Sequence, residues 1–491
     1  MTTASVFEEH GFRQTVGVLT EEIKALYLAD EIPWVVGYSG GKDSTTVLQL
    51  VWNALADLGE EQRHKTVYAI STDTLVENPV VARWVTQSLE TMAEAAESAD
   101  LPIDPHQLYP EVDNTFWVNL IGRGYPAPRQ KFRWCTERLK IKPSNAFIRN
   151  VVRANGEAIV VLGTRKAEST SRRHRMERLE DDRVRDRLSP NESLPNSLVY
   201  SPIEDWSNDD VWLYLMQTDN PWGYDNKDLM AMYRGASEDN ECPLVVDTST
   251  PSCGTSRFGC WTCTLVDKDK SMSAMIQNDE EKEWMLPLLE LRNALDVADD
   301  RHLRDFRRMS GKVQLFHDRP IHGPYTEQAR HDWVRRLLEA QTWIRANGPD
   351  YVADIELVSM EELHEIRRIW VFDKHEIEDA LPGIYRESTG EEFPGADLDD
   401  ILILRADDLA VLRDICGDDN LHYEMTRGLL DVERQYQSMT RRAGLFGALE
   451  KTVRRSYFDD EEDAVDFARR RSLPFEVVDA NAEVVSINEA V

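Results

Sequence analysis

The stretch Pro33-Trp34-Val35-Val36-Gly37-Tyr38-Ser39-Gly40-Gly41-Lys42-Asp43-Ser44 runs from an apolar segment into a glycine pair and then toward a helix expected to open at Thr45. The apolar part reads as a strand and the hexapeptide Ser39 to Ser44 as a phosphate-holding turn. Two adjacent glycines let the backbone approach an anion, and the first amides of the next helix meet that anion with the positive end of the helix dipole. Lys42 adds a point charge. A Walker A loop needs Gly, four residues, then Gly-Lys-Ser/Thr, with the hydroxyl on magnesium. Here Asp43 follows Lys42 and the spacing from Gly37 is too short, which excludes an ordinary NTPase loop. A glycine turn that only caps a helix is the plain alternative, and the motifs farther along weigh against it.

Working outward, the pattern is α/β. An amphipathic helix over residues 12 to 30 leads into the first strand. After the loop come a helix from Thr45 to Leu58, a strand over Thr66 to Ile70, a helix from about Val80 to Glu97, and a later strand, Ala158 to Leu162. Strands interleaved with helices imply a parallel sheet whose ligands sit at the strand C-terminal ends. At the second strand's end, Asp73 and Thr74 form a polar patch suited to ribose and adenine, although an Asp-Thr pair is also an ordinary helix cap. At the later strand's end, Gly163 and Arg165 are followed by Arg172-Arg173-His174-Arg175. Guanidinium forks bind phosphate bidentately, and Arg165 and Arg172 are the candidates, against the alternative of a solvated mixed-charge segment paired with Glu177, Glu180, Asp181 and Asp182.

The 491 residues, 41% apolar, predict more than one domain: an N-terminal helix over 1–30, an α/β domain over 31–215, a cysteine-rich segment over 216–275 and a mostly α-helical region over 276–491. The helical region shows apolar periodicity from Trp284 to Leu291, from Trp333 to Trp343 and from Leu409 to Leu412, with breaks near Gly348-Pro349 and from Gly390 to Ala396. Its basic pairs, among them Arg307-Arg308 and Arg454-Arg455, face either DNA, partner subunits or plain solvent. No stretch reaches the ~20 apolar residues of a membrane span, and the N-terminus lacks a basic region followed by an apolar run, so the chain reads as cytoplasmic with no membrane partner. With 57 basic against 89 acidic residues the net charge is −32, a field that weakens any grip on duplex DNA.

Six cysteines are too few and too clustered for a disulfide framework. Cys242, Cys253, Cys260 and Cys263 crowd one segment, and four thiolates so close repel unless a cation holds them. Closed zinc sites usually come as two tight cysteine pairs, and only Cys260 and Cys263 form one, so the spacing favours an iron-sulfur cluster over zinc. Glycines beside Cys253 and Cys260 let the backbone fold round it, with Phe258 and Trp261 as an apolar wall. Cys135 stands apart in Phe132-Arg133-Trp134-Cys135-Thr136-Glu137-Arg138-Leu139-Lys140; Arg133, Arg138 and Lys140 are placed to depress its pKa and make it a sulfur-carrying thiolate, while a lone cysteine is more often packing.

The Ser39 to Ser44 loop resembles the pyrophosphate-holding loop of the N-type ATP pyrophosphatase superfamily, with its adenine nucleotide alpha hydrolase-like fold. Arg-Trp-Cys-Thr with Leu139-Lys140, and Tyr200-Ser201-Pro202 through Trp206 and Asp210-Val211-Trp212, are similar to segments of phosphoadenosine phosphosulfate reductases. In combination with the cysteine segment, residues 12 to 275 resemble the DndC family, the ATP pyrophosphatase and sulfurtransferase component of DNA phosphorothioation systems. The resemblance implies an enzyme that binds ATP through Ser39, Gly40, Gly41, Lys42, Asp43, Ser44, Asp73, Thr74, Gly163, Arg165 and Arg172, with Mg2+ at Asp43. It implies a 4Fe-4S cluster on Cys242, Cys253, Cys260 and Cys263, and Lys42, Asp43, Cys135 and Arg165 as catalytic. Its implied partners are DNA, a cysteine desulfurase as sulfur donor, and other phosphorothioation subunits. A phosphoadenosine phosphosulfate reductase or sulfate-activating enzyme, and a noncatalytic ATP- and cluster-gated assembly module, are the competing readings.

Overall fold

The computed structural model describes residues 5–183, 185–236, 258–395, 406–437, 439–456 and 458–472, with the backbone of 476–477 and 485–486. Cys242 and Cys253 lie outside the described residues. The chain divides into two compact units, one of residues 1–116 and 128–295, the other of 117–127 and 296–491. The divide at 295/296 differs from the 275/276 expected, because helices beyond the cysteine segment pack with the first unit.

In the first unit, helix α1 (Phe12–Leu28) precedes strand β1 (Trp34–Gly37), helix α2 (Lys42–Ala56), strand β2 (Val67–Thr72), helix α3 (Pro79–Ser98) and strand β3 (Ile103–Leu108). Helix α4 (Lys142–Asn155), strand β4 (Ala158–Val161), helix α5 (Thr170–Asp181) and the strands β5 (Ser189–Pro190) and β6 (Ser197–Tyr200) follow. Helices α6 (Asn208–Gln217), α7 (Asn226–Gly235), α8 (Lys270–Asn278) and α9 (Leu286–Leu295) complete the unit. The sheet order is β3-β2-β1-β4-β6-β5, parallel except for edge strand β5.

Central strands buried on both faces need unbroken apolar runs, and Trp34-Val35-Val36 and Ala158 to Val161 supply them. Trp34 faces Val67 on one side and Ile159 on the other, which fixes the register of the sheet centre. The chain adds β2 and β3 on one side of β1, and β4 and β6 on the other, so the crevice between the C-terminal ends of β1 and β4 is the topological switch point where such sheets bind ligands.

The second unit is helical: α10 (Glu327–Asn347), α11 (Met360–Arg368), α12 (Ala380–Thr389), α13 (Ala406–Cys416), α14 (Asn420–Gln437), α15 (Leu445–Ser456) and α16 (Glu461–Ser472). The expected breaks fall where α10 stops before Gly348 and where Gly390, at φ 77°, ends α12. Residues 117–127 are built into this unit. Trp117 Nε1 donates to the Leu357 carbonyl at 2.8 Å, Trp370 Nε1 donates to the Ile121 carbonyl at 3.0 Å, and Tyr325 N donates to the Gly124 carbonyl at 2.7 Å. Val118, Leu120 and Ile121 are fully buried.

A buried ion pair also holds this unit. Arg330 donates through both terminal nitrogens to Glu376, at 3.0 Å for Nη1, and its guanidinium lies 5.3 Å from the Trp370 ring centre. Burial pushes the Glu376 carboxyl up, yet Arg330 outweighs it and holds the group below its ordinary value. Arg330→Met leaves a buried carboxylate without its cation and is expected to cost about 3–5 kcal/mol, read by urea unfolding, with Arg330→Met/Glu376→Gln recovering part of the loss. Since the folded carboxyl titrates below its unfolded value of about 4.3, the wild-type contribution is present above that pH and disappears as pH falls through the folded value.

Candidate nucleotide and cysteine site

The loop after β1 is closed on itself before any ligand is considered. Ser39 N donates to Ser44 Oγ at 3.1 Å, and Ser44 Oγ donates to the Gly41 carbonyl at 3.0 Å. Gly40 has φ 69°, and a Cβ there would stand 2.5 Å from Val85 Cγ2, so only glycine fits. Helix α2 opens at Lys42, with Gly41 as its N-cap, rather than at Thr45. The difference matters because Lys42 and Asp43 are thereby in the first helical turn, where amides have no intrahelical acceptor and favour an anion.

Asp43 is the hub of the loop's charges. Its Oδ2 accepts from Lys42 Nζ at 2.7 Å and its Oδ1 from Arg165 Nε at 2.7 Å. Arg165 is 4% exposed and its Nη1 also donates to the Trp206 carbonyl at 3.2 Å. The segment after β4 can reach the loop because Gly163 has no side chain; a Cβ there would lie 2.8 Å from the Asp43 carbonyl oxygen. The structure therefore brings Ser39 through Ser44, Gly163 and Arg165 together at the switch point. Arg172 behaves otherwise: it pairs with Glu168 and is largely exposed. Tyr233, which sequence reading missed, closes the loop's other side, accepting at 3.4 Å from Lys42 N. Nothing local marks it, since α7 is far along the chain.

The end of β2 lies beside the cysteine segment. Asp73 Oδ1 accepts from Leu75 N at 2.8 Å, and burial pushes its carboxyl up. Thr74, expected at ribose, is fully buried; its hydroxyl donates to Glu77 Oε1 at 3.1 Å and lies 3.4 Å from Cys260 Sγ. Residues 259–261 add to this segment like a short strand: Glu77 bridges Cys260, Asn78 N donates to the Gly259 carbonyl at 3.3 Å, and Trp261 N donates to the Val76 carbonyl at 2.9 Å. A tight turn, Cys263 N to the Cys260 carbonyl at 3.0 Å, sets the two thiols. Arg292, 1% exposed on α9, donates Nε to the Cys263 carbonyl at 3.0 Å and Nη1 to the Asp267 carbonyl at 3.3 Å, fixing the loop from behind.

Cys135 does not have the depressed pKa that its basic neighbours suggest. Its thiol is pushed up by burial and by the charge of Cys263, and the Cys260 thiol, pushed up to about 12 chiefly by burial and Glu77, is raised further by Cys135. The three sulfurs are thus within electrostatic reach of one another. Arg133 and Arg138 are engaged elsewhere, with Gln130 and with Asn114 at 3.0 Å, while Lys140 pairs with Glu77 at 2.9 Å and still lies within electrostatic reach of Cys135. Lys140 follows in a π-helical turn, Thr136–Ile141; burial opposes its charge, but Cys260 and Glu77 outweigh that and hold it firmly protonated. Three half-buried thiols drawn from two distant segments, with one ammonium nearby, make a thiolate-rich set of the kind that can hold an iron-sulfur group. Among the described residues no three Cys, His, Asp or Glu groups converge on a single-ion site.

Residues 33–266 match the family model of the phosphoadenosine phosphosulfate reductase domain. That segment is a phosphoadenosine phosphosulfate reductase-like domain. The reductase-like domain contains both the loop and the described cysteine pair. An uncharacterized protein of Methanocaldococcus jannaschii is 26% identical over 200 residues, 41% of this chain and 35% of the relative, so the match spans about a third of that relative's length. Among solved structures, the phosphoadenylyl-sulfate reductase of Candida auris in its phosphate complex aligns at TM-score 0.26 and 12% identity, over 42% of this chain and 86% of the other. The U34-tRNA thiolase NcsA of Methanococcus maripaludis, with its [4Fe-4S] cluster, aligns at TM-score 0.28 and 12% identity, over 59% and 82%. Among the described residues no helix is long and apolar enough to cross a membrane.

Proposed function

We propose that this chain is an ATP pyrophosphatase and sulfurtransferase of DNA phosphorothioate modification, of the DndC type. The observation that carries the reading is the shared crevice edge: a loop shaped for an anion at the end of β1, and Cys260 beside the end of β2 with Cys135 and Cys263 within electrostatic reach. The DNA substrate rests on the sequence resemblance.

ATP places its β and γ phosphates against Gly40, Gly41 and the first turn of α2, where Lys42 and Arg165 exchange part of their hold on Asp43 for phosphate oxygens. A nonbridging DNA phosphate oxygen attacks the α phosphorus, the bond to the β-phosphate oxygen breaks, and pyrophosphate leaves. A thiol reductant releases the desulfurase's persulfide sulfur as hydrosulfide and is itself oxidised to a disulfide; the hydrosulfide then attacks the DNA phosphorus, the bond to the adenylated oxygen breaks, and AMP departs with that oxygen. A 4Fe-4S cluster held by Cys135, Cys260, Cys263 and a cysteine of the 242–253 stretch would supply a soft site for sulfur. Magnesium, with Asp43 as ligand, would offset the phosphate charge. Lys140 keeps a positive charge where anionic sulfur must approach, and Arg292 keeps the Cys263 backbone in place.

The test is mass spectrometry of digested cellular DNA with and without this chain, together with product analysis of purified protein. Phosphorothioate dinucleotides that depend on the chain, and ATP turnover to AMP and pyrophosphate, are expected. Sulfite release from a nucleotide sulfate would instead favour a reductase, the reading that the matching family model favours, and ATP binding without turnover would favour an assembly module.

A further inference from the structure

The helical unit contains a cavity of about 1170 Å3 whose lining comes from residues 301–307, α10, the segment 372–376, α14 and α15. Most of its basic side chains are already matched. Arg330 is held by Glu376, Arg427 Nη1 donates to Glu378 Oε1 at 2.7 Å, and Arg307 Nη2 donates to Asp305 Oδ2 and to Glu424 Oε2, each at 2.7 Å. Two cations on the lining are different. Among the described residues, no carboxylate pairs with the Lys374 ammonium. Arg455 approaches one carboxylate, Asp305 Oδ2, at 4.0 Å, and that oxygen already serves Arg307.

We propose that this cavity is a second anion site, in which Lys374 and Arg455 take the phosphate of a small, nucleotide-sized phosphate ester. Both cations stand among like charges. The Lys374 ammonium is pushed down to about 7 by burial and then by Arg330 and Arg455, with Glu376 giving partial relief. Burial and Arg307 likewise act against the Arg455 charge, with Asp305, Glu424 and Glu376 giving partial relief, and because a guanidinium does not give up its proton in proteins, the result is a partly compensated charge rather than a neutral group. An ammonium beside a guanidinium fork is the donor pair that a phosphate dianion satisfies. His375, at φ 61°, turns Nδ1 to the fully buried Asp431 at 2.7 Å, which leaves Nε2 as its remaining polar atom on the lining.

The volume selects the size of the ligand. It is ample for more than a lone phosphate, since small-molecule sites measure roughly 300–1,000 Å3. Phe306, Phe372 and Tyr436 add aromatic surface for a base or another ring. Asp418, Asp419, Asp459, Asp460 and Glu461 also line the cavity, and this acidic set disfavours a ligand that carries many phosphates.

The inference is independent of the function proposed for the reductase-like domain, and its test is made on the full chain. Calorimetric titration with AMP is expected to give one more equivalent bound to wild type than to Lys374→Gln or Arg455→Gln, or at least a 10-fold loss of affinity for that equivalent, with Lys374→Arg restoring it. Circular dichroism of each variant should match wild type. AMP binding of equal stoichiometry and affinity in wild type and both glutamine variants would overturn the proposal. Inorganic phosphate binding as tightly as AMP would overturn its choice of a nucleotide-sized ester, as would a ten-residue oligothymidylate binding more tightly than AMP and losing affinity in the same variants.

Discussion

Lys42→Ala is expected to lower ATP conversion to AMP and pyrophosphate by about 10²–10³-fold while leaving the fold intact. The side chain sits in the first turn of α2 with its Nζ on Asp43, and its removal exposes no core surface. What is lost is a preorganised positive charge aimed at the departing pyrophosphate, and a single such donor is commonly worth about 2.7–4 kcal/mol in the transition state. Asp43→Asn probes the same hub from the other side. It keeps the shape but removes the charge that restrains both Lys42 and Arg165, so ATP turnover should fall while nucleotide binding survives. Separation of labelled AMP, ADP, phosphate and pyrophosphate reads both variants; release of ADP and phosphate by the wild type would falsify the pyrophosphatase assignment.

The second large effect is on the cysteines. Cys260→Ser and Cys135→Ser are both expected to lose iron and visible absorbance and to abolish sulfur transfer, whereas Cys416→Ser at the end of α13 keeps both. Cys135 is the decisive member, because sequence spacing alone leaves it out of the ligand set while in the structure it lies within electrostatic reach of Cys260 and Cys263. Iron assay and absorbance of anaerobically purified variants check this. Full iron content in Cys135→Ser would return that residue to the role of a sulfur carrier.

The parts legible in the sequence are those whose signal is local. Trp34-Val35-Val36 and Ala158 to Val161 announce buried parallel strands because both faces must be apolar, and Gly40-Gly41-Lys42 announces the anion loop because backbone geometry there demands glycine. Strand β3 escaped notice: its Ile103-Asp104-Pro105-His106-Gln107-Leu108 carries proline and polar residues that are tolerated only because it lies at the sheet edge. Strand β6, Ser197–Tyr200, is only four residues long, and just its last residue belongs to the Tyr200-Ser201-Pro202 motif, so its run is too short to signal a strand. Tyr233, Glu77 and the convergence of Cys135 with Cys260 were illegible for a different reason. Each depends on two segments meeting through the sheet, and a single sequence carries no mark of which segments those are.

The way the chain visits its second unit early has a consequence for biosynthesis. Residues 117–127 leave the ribosome long before Tyr325, Leu357 and Trp370, the residues that bond their backbone and the Trp117 indole. Until then Trp117, Val118, Leu120 and Ile121 have no cover, and each such side chain left in water forgoes about 1.5–3 kcal/mol of burial. The nascent chain therefore carries a sticky internal strap through most of its synthesis, and cutting the gene after residue 295 would make that exposure permanent.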